Sequence, residues 1–268
     1  MARKPKGPRP VALITGASGG IGEALAHQFA RGGYDLVLVA RSEAKLAAVA
    51  EAVKADGAAA HIISLDLEMR GAGADLEAAV EERGVVIDVL VNNAGYGVTG
   101  AVVEADLAQQ LGSIDLNVRV LTELCARFGA GMKARGRGGI LNVASTAAFQ
   151  PGPYFAVYYA TKAYVLSFTE ALNRELKDSG VHATALCPGP VETGFQARAE
   201  FDDSMGLMKL PMQTAEQVAK TGFTAFRRKQ AVMIPGGMNF LMAKSAALAP
   251  RGVLLSMVET LQKKRQGA

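Results

Sequence analysis

The constraint that most limits this chain is a series of seven short apolar runs, each separated from the next by a longer, Ala-rich stretch. The runs are Val11–Thr15, Leu36–Ala40, Ala60–Leu65, Ile87–Val91, Ile140–Ala144, His182–Cys187 and Ala231–Ile234. Runs rich in Val, Ile and Leu without strict alternation are the pattern of strands buried on both faces. Between them, Glu43–Ala55 places Leu46, Val49, Ala50 and Val53 at helical spacing. Asp75–Arg83, Leu107–Lys133, Val157–Asp178 and Ala215–Lys229 read as further helices. Alternating strand and helix predicts an α/β fold, with a doubly wound parallel sheet of about seven strands and helices on both faces.

The 268 residues fit a single domain over 11–262, with no repeat and no linker. Gly-Pro clusters at 151–153, 188–190 and 235–237 follow strands and read as loops at strand carboxyl ends, where open α/β sheets bind ligands. Residues 195–212 are less regular and read as a substrate segment. The net charge is +4, which invites a nucleic-acid reading. Arg3, Lys4, Lys6 and Arg9 in a tail over 1–10, and Lys263, Lys264 and Arg265 in a tail over 263–268, account for it, so no nucleic-acid partner is expected. Both tails are expected to be solvated. Cys125 and Cys187 are far apart and fit neither a disulfide framework nor a metal site, which suits a reducing cytoplasm. His27, His61 and His182 have no ligand spacing, and no metal is expected. The longest uncharged stretch, 138–161, holds Pro151, Pro153, Asn142 and Gln150, so no membrane span is expected.

The first run leads into Thr15-Gly16-Ala17-Ser18-Gly19-Gly20-Ile21-Gly22, which opens a helix over Glu23–Arg31. Gly16 allows a tight turn, Gly20 lets the backbone approach a phosphate, and Gly22 permits close helix packing. The helix amino end then offers N–H groups and a positive dipole to a pyrophosphate.

The Gly-x3-Gly-x-Gly spacing and the motifs that follow resemble the short-chain dehydrogenase/reductase family over about residues 10–240. The resemblance implies a Rossmann-like fold and a nicotinamide cofactor held by Gly16, Ser18, Gly20, Ile21 and Gly22. At the end of the second run stands Ala40-Arg41-Ser42, where an acid would bind the ribose hydroxyls of NAD. Arg41, aided by Ser42, suits the 2′-phosphate of NADP(H) through paired guanidinium donors. The family's pattern assigns Asp66 and Leu67 to the adenine, and Asn93, Ala94 and Gly95, in Asn92-Asn93-Ala94-Gly95, to a turn against the cofactor. Pro188, Gly189, Val191 and Thr193 match a segment that closes over the nicotinamide.

Tyr158-Tyr159-Ala160-Thr161-Lys162 is a Tyr-x3-Lys motif whose ends share one helix face. With Ser145 after the fifth run and Asn117 on the long helix, it resembles the family's catalytic set. A free Tyr holds its proton at a pKa of about 10. A nearby ammonium and oxidised nicotinamide are expected to lower that value and fit Tyr158 for general acid/base work. By resemblance, Lys162 also binds the nicotinamide ribose, Ser145 polarises a carbonyl, and Asn117 positions a water in a proton relay. Nearby apolar and aromatic residues, Tyr96, Ala147, Phe149, Tyr154 and Phe195, predict a pocket for a hydrophobic carbonyl or alcohol. The Met-rich stretch Met238–Met257 is expected to cover the sheet or to pair with another chain. Family members are commonly homodimers or homotetramers. Two alternatives stand beside the NADP(H)-dependent oxidoreductase: a 3-oxoacyl-thioester reductase, and a dinucleotide-sensing regulator without turnover.

Overall fold

The computed structural model describes residues 8–192 and 212–265. In chain order, β1 (Val11–Thr15), α1 (Gly20–Arg31), β2 (Asp35–Ala40), α2 (Glu43–Lys54) and β3 (Ala60–Ser64) form the first half of the sheet. They are followed by α3 (Ala72–Glu82), β4 (Ile87–Asn92), α4 (Leu107–Ile114), α5 (Val120–Arg135), β5 (Gly138–Val143), α6 (Ala156–Glu175) and β6 (Val181–Leu186). The remaining elements are β7 (Val191–Glu192), β8 (Gln213–Thr214), α7 (Ala215–Arg227), β9 (Val232–Met233), α8 (Gly237–Leu248) and α9 (Arg251–Arg265). Seven strands pair in parallel in the order β3-β2-β1-β4-β5-β6-β9, and β7 pairs with β8 apart from them. Each expected strand is present, with ends that match or shift by at most two residues.

Burial on both faces explains why the strands read as unbroken apolar runs. Leu13, Val37 and Val39 face a core shared with α3, α5 and α6. Their neighbours Ala12, Ile14, Leu36 and Leu38 face a second core shared with α1, α2 and α7. Each strand therefore needs apolar residues at both parities of its period of two. The order reverses between β1 and β4, which opens a crevice at their carboxyl ends, beside Gly16 and Asn93.

The long helix expected over Leu107–Lys133 is interrupted. Asp115–Arg119 forms a π turn between α4 and α5. Such a turn holds one residue more than an α-helical turn, a feature found often at functional sites. Leu121, Cys125, Phe128 and Met132 of α5 are buried, whereas Leu107, Leu111 and Ile114 are exposed. On α4 the inward positions are taken by Gln110 and Ser113, in line with Asn117 of the turn.

The expected tails are shorter than the sequence suggests. Arg9 donates to the carbonyl oxygens of Ala30 (2.7 Å) and Tyr34 (2.9 Å), and to that of Gly57. Lys263 lies within α9 and pairs with Glu259 at 2.8 Å. Met238–Met257 is two helices broken before Arg251, where Pro250 cannot continue α8. The pair reaches the main core through Ala243 and packs Ala246, Leu254 and Val258 on Tyr159. Met238, Phe240, Leu241, Leu248, Val253 and Met257 stay exposed, so this stretch covers the sheet only in part. Among the described residues, no helix is long and apolar enough to cross a membrane.

Arg9→Ala is expected to lower unfolding free energy by about 1–2 kcal/mol, since it strips charge-assisted hydrogen bonds from three carbonyls. Urea titration reads the change, and an unaltered midpoint would return Arg9 to the tail.

Candidate active site

One end of the site is the loop after β1. Gly16 has φ +65° and Gly20 φ +56°, both in the left-handed region that glycine tolerates. A Cβ on Gly22 would stand 2.2 Å from the Gly16 carbonyl oxygen, so α1 packs this close only with glycine. Asn93 ties the loop to the end of β4. Its Nδ2 donates to the carbonyl oxygens of Thr15 (3.0 Å) and Gly16 (3.2 Å). In return Thr15 Oγ1 accepts the N–H groups of Asn93 and Ala94, each at 3.0 Å. Next to it, Gly19 leaves open space, with no atom within 4 Å of a built Cβ. An amino-terminal loop of this shape fits a pyrophosphate. Ser18 lies in the loop, and Ile21 packs into the second core.

At the far end, Arg41 and Ser42 leave β2. Arg41 is half-exposed and lies 3.8 Å from Asp66 and 3.5 Å from Glu68. Asp66 shapes its own turn by accepting the Glu68 N–H at 3.1 Å, while Leu67 is buried in the core.

The other end gathers all four expected catalytic residues. Ser145 begins a 3-10 turn (Thr146–Phe149) and accepts the Ala147 N–H at 3.1 Å. Tyr158 and Lys162, one helical turn apart on α6, are both buried. The Phe155 ring stacks on Tyr158 with centroids 4.5 Å apart. Lys162 Nζ donates to the Val143 carbonyl at 2.9 Å, which leaves two ammonium protons for a ligand. The Asn117 amide clamps the backbone of Tyr96. Its Oδ1 accepts the Tyr96 N–H (3.2 Å), and its Nδ2 donates to the Tyr96 carbonyl (2.8 Å). A Cβ on Gly95 would meet Asn117 Oδ1 at 2.6 Å and Lys162 Nζ at 3.5 Å, so both side chains converge on that glycine.

Within the protein alone, burial works against the lowering of the Tyr158 pKa expected from ammonium and nicotinamide together. Burial pushes the phenol up to about 12, against a hydrogen bond with the Ser145 side chain that pulls it down. Lys162 lies over the ring, 5.7 Å from its centroid. Tyr158 therefore keeps its proton at neutral pH, the form that carbonyl reduction consumes. Burial draws the Lys162 ammonium down to about 8, so it is largely charged at neutral pH and loses that charge as pH rises through this value.

The segment after β6 borders the same end. The Pro188 carbonyl accepts from the Thr146 N–H (2.8 Å) and Ser145 Oγ (3.4 Å). Gly189 packs against the Asn239 side chain, and Val191 is buried in β7. Thr193 and Phe195 lie outside the described residues, as does most of 195–212.

The expected substrate residues separate. Ala147 packs with Phe155 and Tyr158. Phe149 instead lines a cavity of about 170 Å³ with Leu166, Val232 and Phe240, which Ser145, Tyr158 and Lys162 do not border. The Tyr154 ring lies under the Lys263 ammonium, 5.3 Å away. The Tyr96 hydroxyl turns from the catalytic end to Glu68 (3.3 Å) and the Gln109 carbonyl (3.0 Å). Sequence reasoning missed Thr161, whose Oγ1 accepts from Asn117 (3.1 Å) and donates to the Tyr158 carbonyl (2.8 Å). It also missed Ser113, which donates to the Tyr96 carbonyl at 3.0 Å, and Gly97, where a Cβ would meet the Tyr158 ring at 2.7 Å. Gly97 follows the Asn93–Gly95 turn so closely that its position was the available signal.

The family model for short chain dehydrogenase matches residues 10–203. This chain belongs to the short-chain dehydrogenase family. It is an oxidoreductase of that family, with a Rossmann-like nucleotide-binding fold. The ketoacyl reductase HetN of a Nostoc species is 32% identical over 223 residues, covering 83% of this chain and 77% of HetN. A short-chain dehydrogenase from Sphingobium yanoikuyae in complex with NADPH superposes with a TM-score of 0.79 at 33% identity, covering 89% of this chain and 94% of that one. A short-chain dehydrogenase/reductase from Burkholderia phymatum in complex with NAD superposes at 0.77 with 27% identity, covering 88% and 92%.

Gly95→Ala is expected to weaken dinucleotide binding roughly tenfold or more, because the methyl displaces Asn117 or Lys162. Titration by the fluorescence of bound reduced nicotinamide reads it, and unchanged affinity would separate Gly95 from the site.

Proposed function

We propose that this chain is an NADP(H)-dependent oxidoreductase that interconverts a carbonyl and an alcohol on a small hydrophobic substrate, with Tyr158 moving the proton. The observation that carries the reading is the buried Tyr158–Lys162 pair, on the helix turn that faces Gly95 and Asn117. Gly16, Ser18, Gly20, Ile21 and Gly22 would hold the pyrophosphate, with Asn93, Ala94, Gly95, Pro188, Gly189, Val191 and Thr193 toward the nicotinamide. Asp66 and Leu67 would border the adenine, with Arg41 and Ser42 at the 2′-phosphate.

When bound, the dinucleotide supplies or accepts the hydride. Tyr158 donates its phenolic proton to the carbonyl oxygen in reduction and takes it back in oxidation. Ser145 donates a hydrogen bond to the same oxygen as negative charge builds there. Lys162 uses its two remaining donors on ribose hydroxyls, and its charge favours the phenolate left after transfer. Asn117 fixes the Gly95–Tyr96 backbone and positions a water that returns a proton through Lys162. Ala147 and Phe155 give the substrate side an apolar wall. The buried free cysteines suit a reducing cytoplasm, and the exposed Leu107, Leu111 and Ile114 suit a homodimer or homotetramer.

A second reading, reduction of a 3-oxoacyl thioester, is favoured by the likeness to HetN and would use the same four residues. A panel of ketones, aldehydes, secondary alcohols and one 3-oxoacyl thioester, assayed with NADPH and NADP, distinguishes the two. Tyr158→Phe is expected to lower kcat by roughly a hundred- to ten-thousandfold while NADPH still binds; near-normal turnover would overturn the scheme. Arg41→Ala is expected to weaken NADPH roughly tenfold and leave NADH unchanged. An unaltered cofactor preference would reject the role given to Arg41.

A further inference from the structure

The acids around Arg41 bear on cofactor choice. Its guanidinium faces Asp66 Oδ2 at 3.8 Å and Glu68 Oε1 at 3.5 Å, distances at or beyond the limit of a hydrogen bond. The Arg41 side chain is 47% exposed, so it has room to turn. Glu68, at 24%, is more enclosed, and its backbone is fixed on both sides. Its N–H donates to Asp66 Oδ1 (3.1 Å), and its carbonyl accepts from Arg119 Nη2 (3.0 Å). Its second carboxylate oxygen lies 3.3 Å from the Tyr96 hydroxyl. Glycine at position 112 makes room for both groups. A Cβ there would stand 2.7 Å from the Tyr96 oxygen and 2.9 Å from Glu68 Oε2.

The partners are thus unequal: an exposed cation beside a more enclosed carboxylate. We infer that Glu68 is a specificity-determining residue that competes with the 2′-phosphate of NADP(H) for Arg41 and so restrains the preference for the phosphorylated cofactor. The inference rests on the assignment of Arg41 to the 2′-phosphate. A phosphate drawing Arg41 toward itself must pull it from a carboxylate that packs against the Tyr96 hydroxyl and Gly112. Asp66 adds a second negative charge, so the guanidinium is already more than neutralised before a dianion arrives. NADH brings no charge to this place and is indifferent to the competition. Glu68 also joins the two ends of the crevice, since Tyr96, whose hydroxyl it meets, is the residue whose backbone Asn117 clamps.

The test is a set of equilibrium titrations on the full chain and its E68Q, E68A, R41A and R41A/E68Q variants. NADPH and NADH are the ligands, with adenosine 2′,5′-bisphosphate and AMP as probes that do not reach the catalytic end. E68Q and E68A are each expected to tighten NADPH and the bisphosphate by roughly three- to fivefold, the scale of an exposed ion pair, with NADH and AMP within about twofold. In the R41A background the gain from E68Q is expected to shrink below about twofold, because no guanidinium remains to be released. No tightening in E68Q and E68A, with R41A weakening NADPH, would overturn the inference and leave the role of Arg41 standing. An equal gain with and without Arg41 would also overturn it, since Glu68 would then act on the phosphate directly. If R41A leaves the preference unchanged, the assignment of Arg41 itself fails, and this inference with it.

Discussion

The site depends first on the bracket between β1 and β4. Thr15 Oγ1 accepts two consecutive N–H groups, of Asn93 and Ala94, while the Asn93 amide returns hydrogen bonds to Thr15 and Gly16. The two strands diverge at this point of the sheet, and their loops would otherwise part. The bracket holds the phosphate-facing loop against the turn that carries Gly95. It also explains the glycines on either side, since Gly16 packs against Ala94 and Gly22 against Gly16. Pyrophosphate binding and catalysis thereby share one backbone frame.

From that frame the catalytic end is assembled by a second clamp. Asn117 grips Tyr96 through both its N–H and its carbonyl, while Thr161 links the same amide to the backbone of Tyr158. Asn117 is thus as much a brace as a proton-relay candidate. Below it, Asn92 donates to Asn142 at 2.9 Å, and Asn142 donates to Thr169 at 2.9 Å, so buried side chains link β4, β5 and α6. Polar groups this deep are tolerable where they satisfy one another, and Asn92 Oδ1 alone of these amide atoms is left without a partner. Burial in turn sets the protonation of the reactive pair, holding Tyr158 neutral and easing Lys162 toward neutrality.

Much of this was legible in the sequence, for physical reasons. Strands with apolar residues at both parities stand out, and Tyr158, Lys162 and Ser145 lie at spacings that a helix and a strand end convert directly into proximity. The rest depended on contacts that no local pattern encodes. Arg9 reads as part of a basic tail until the carbonyls of Ala30, Tyr34 and Gly57 surround it. Glu68, Ser113 and Thr161 are ordinary polar residues until distant segments meet them. Tyr96 and Phe149 are apolar and adjacent to the motifs, but the backbone turns Tyr96 toward Glu68 and Phe149 toward a separate cavity.

The π turn escaped for a different reason, and it has a further consequence. Leu107, Leu111, Ile114, Val118, Leu121, Cys125, Phe128 and Met132 form an unbroken stripe for an uninterrupted helix. One extra residue in the turn slips the helical phase by about 100°. The inward line then runs from Leu121 to Asn117, Ser113 and Gln110, so an apolar seam continues as a polar one. The insertion turns an amide toward the cofactor crevice, and the same rotation carries three aliphatic side chains to the outer surface. Deleting Val118 alone would therefore act as a register switch, turning the Asn117 amide away and bringing an aliphatic helix face inward while every site residue stays in the chain.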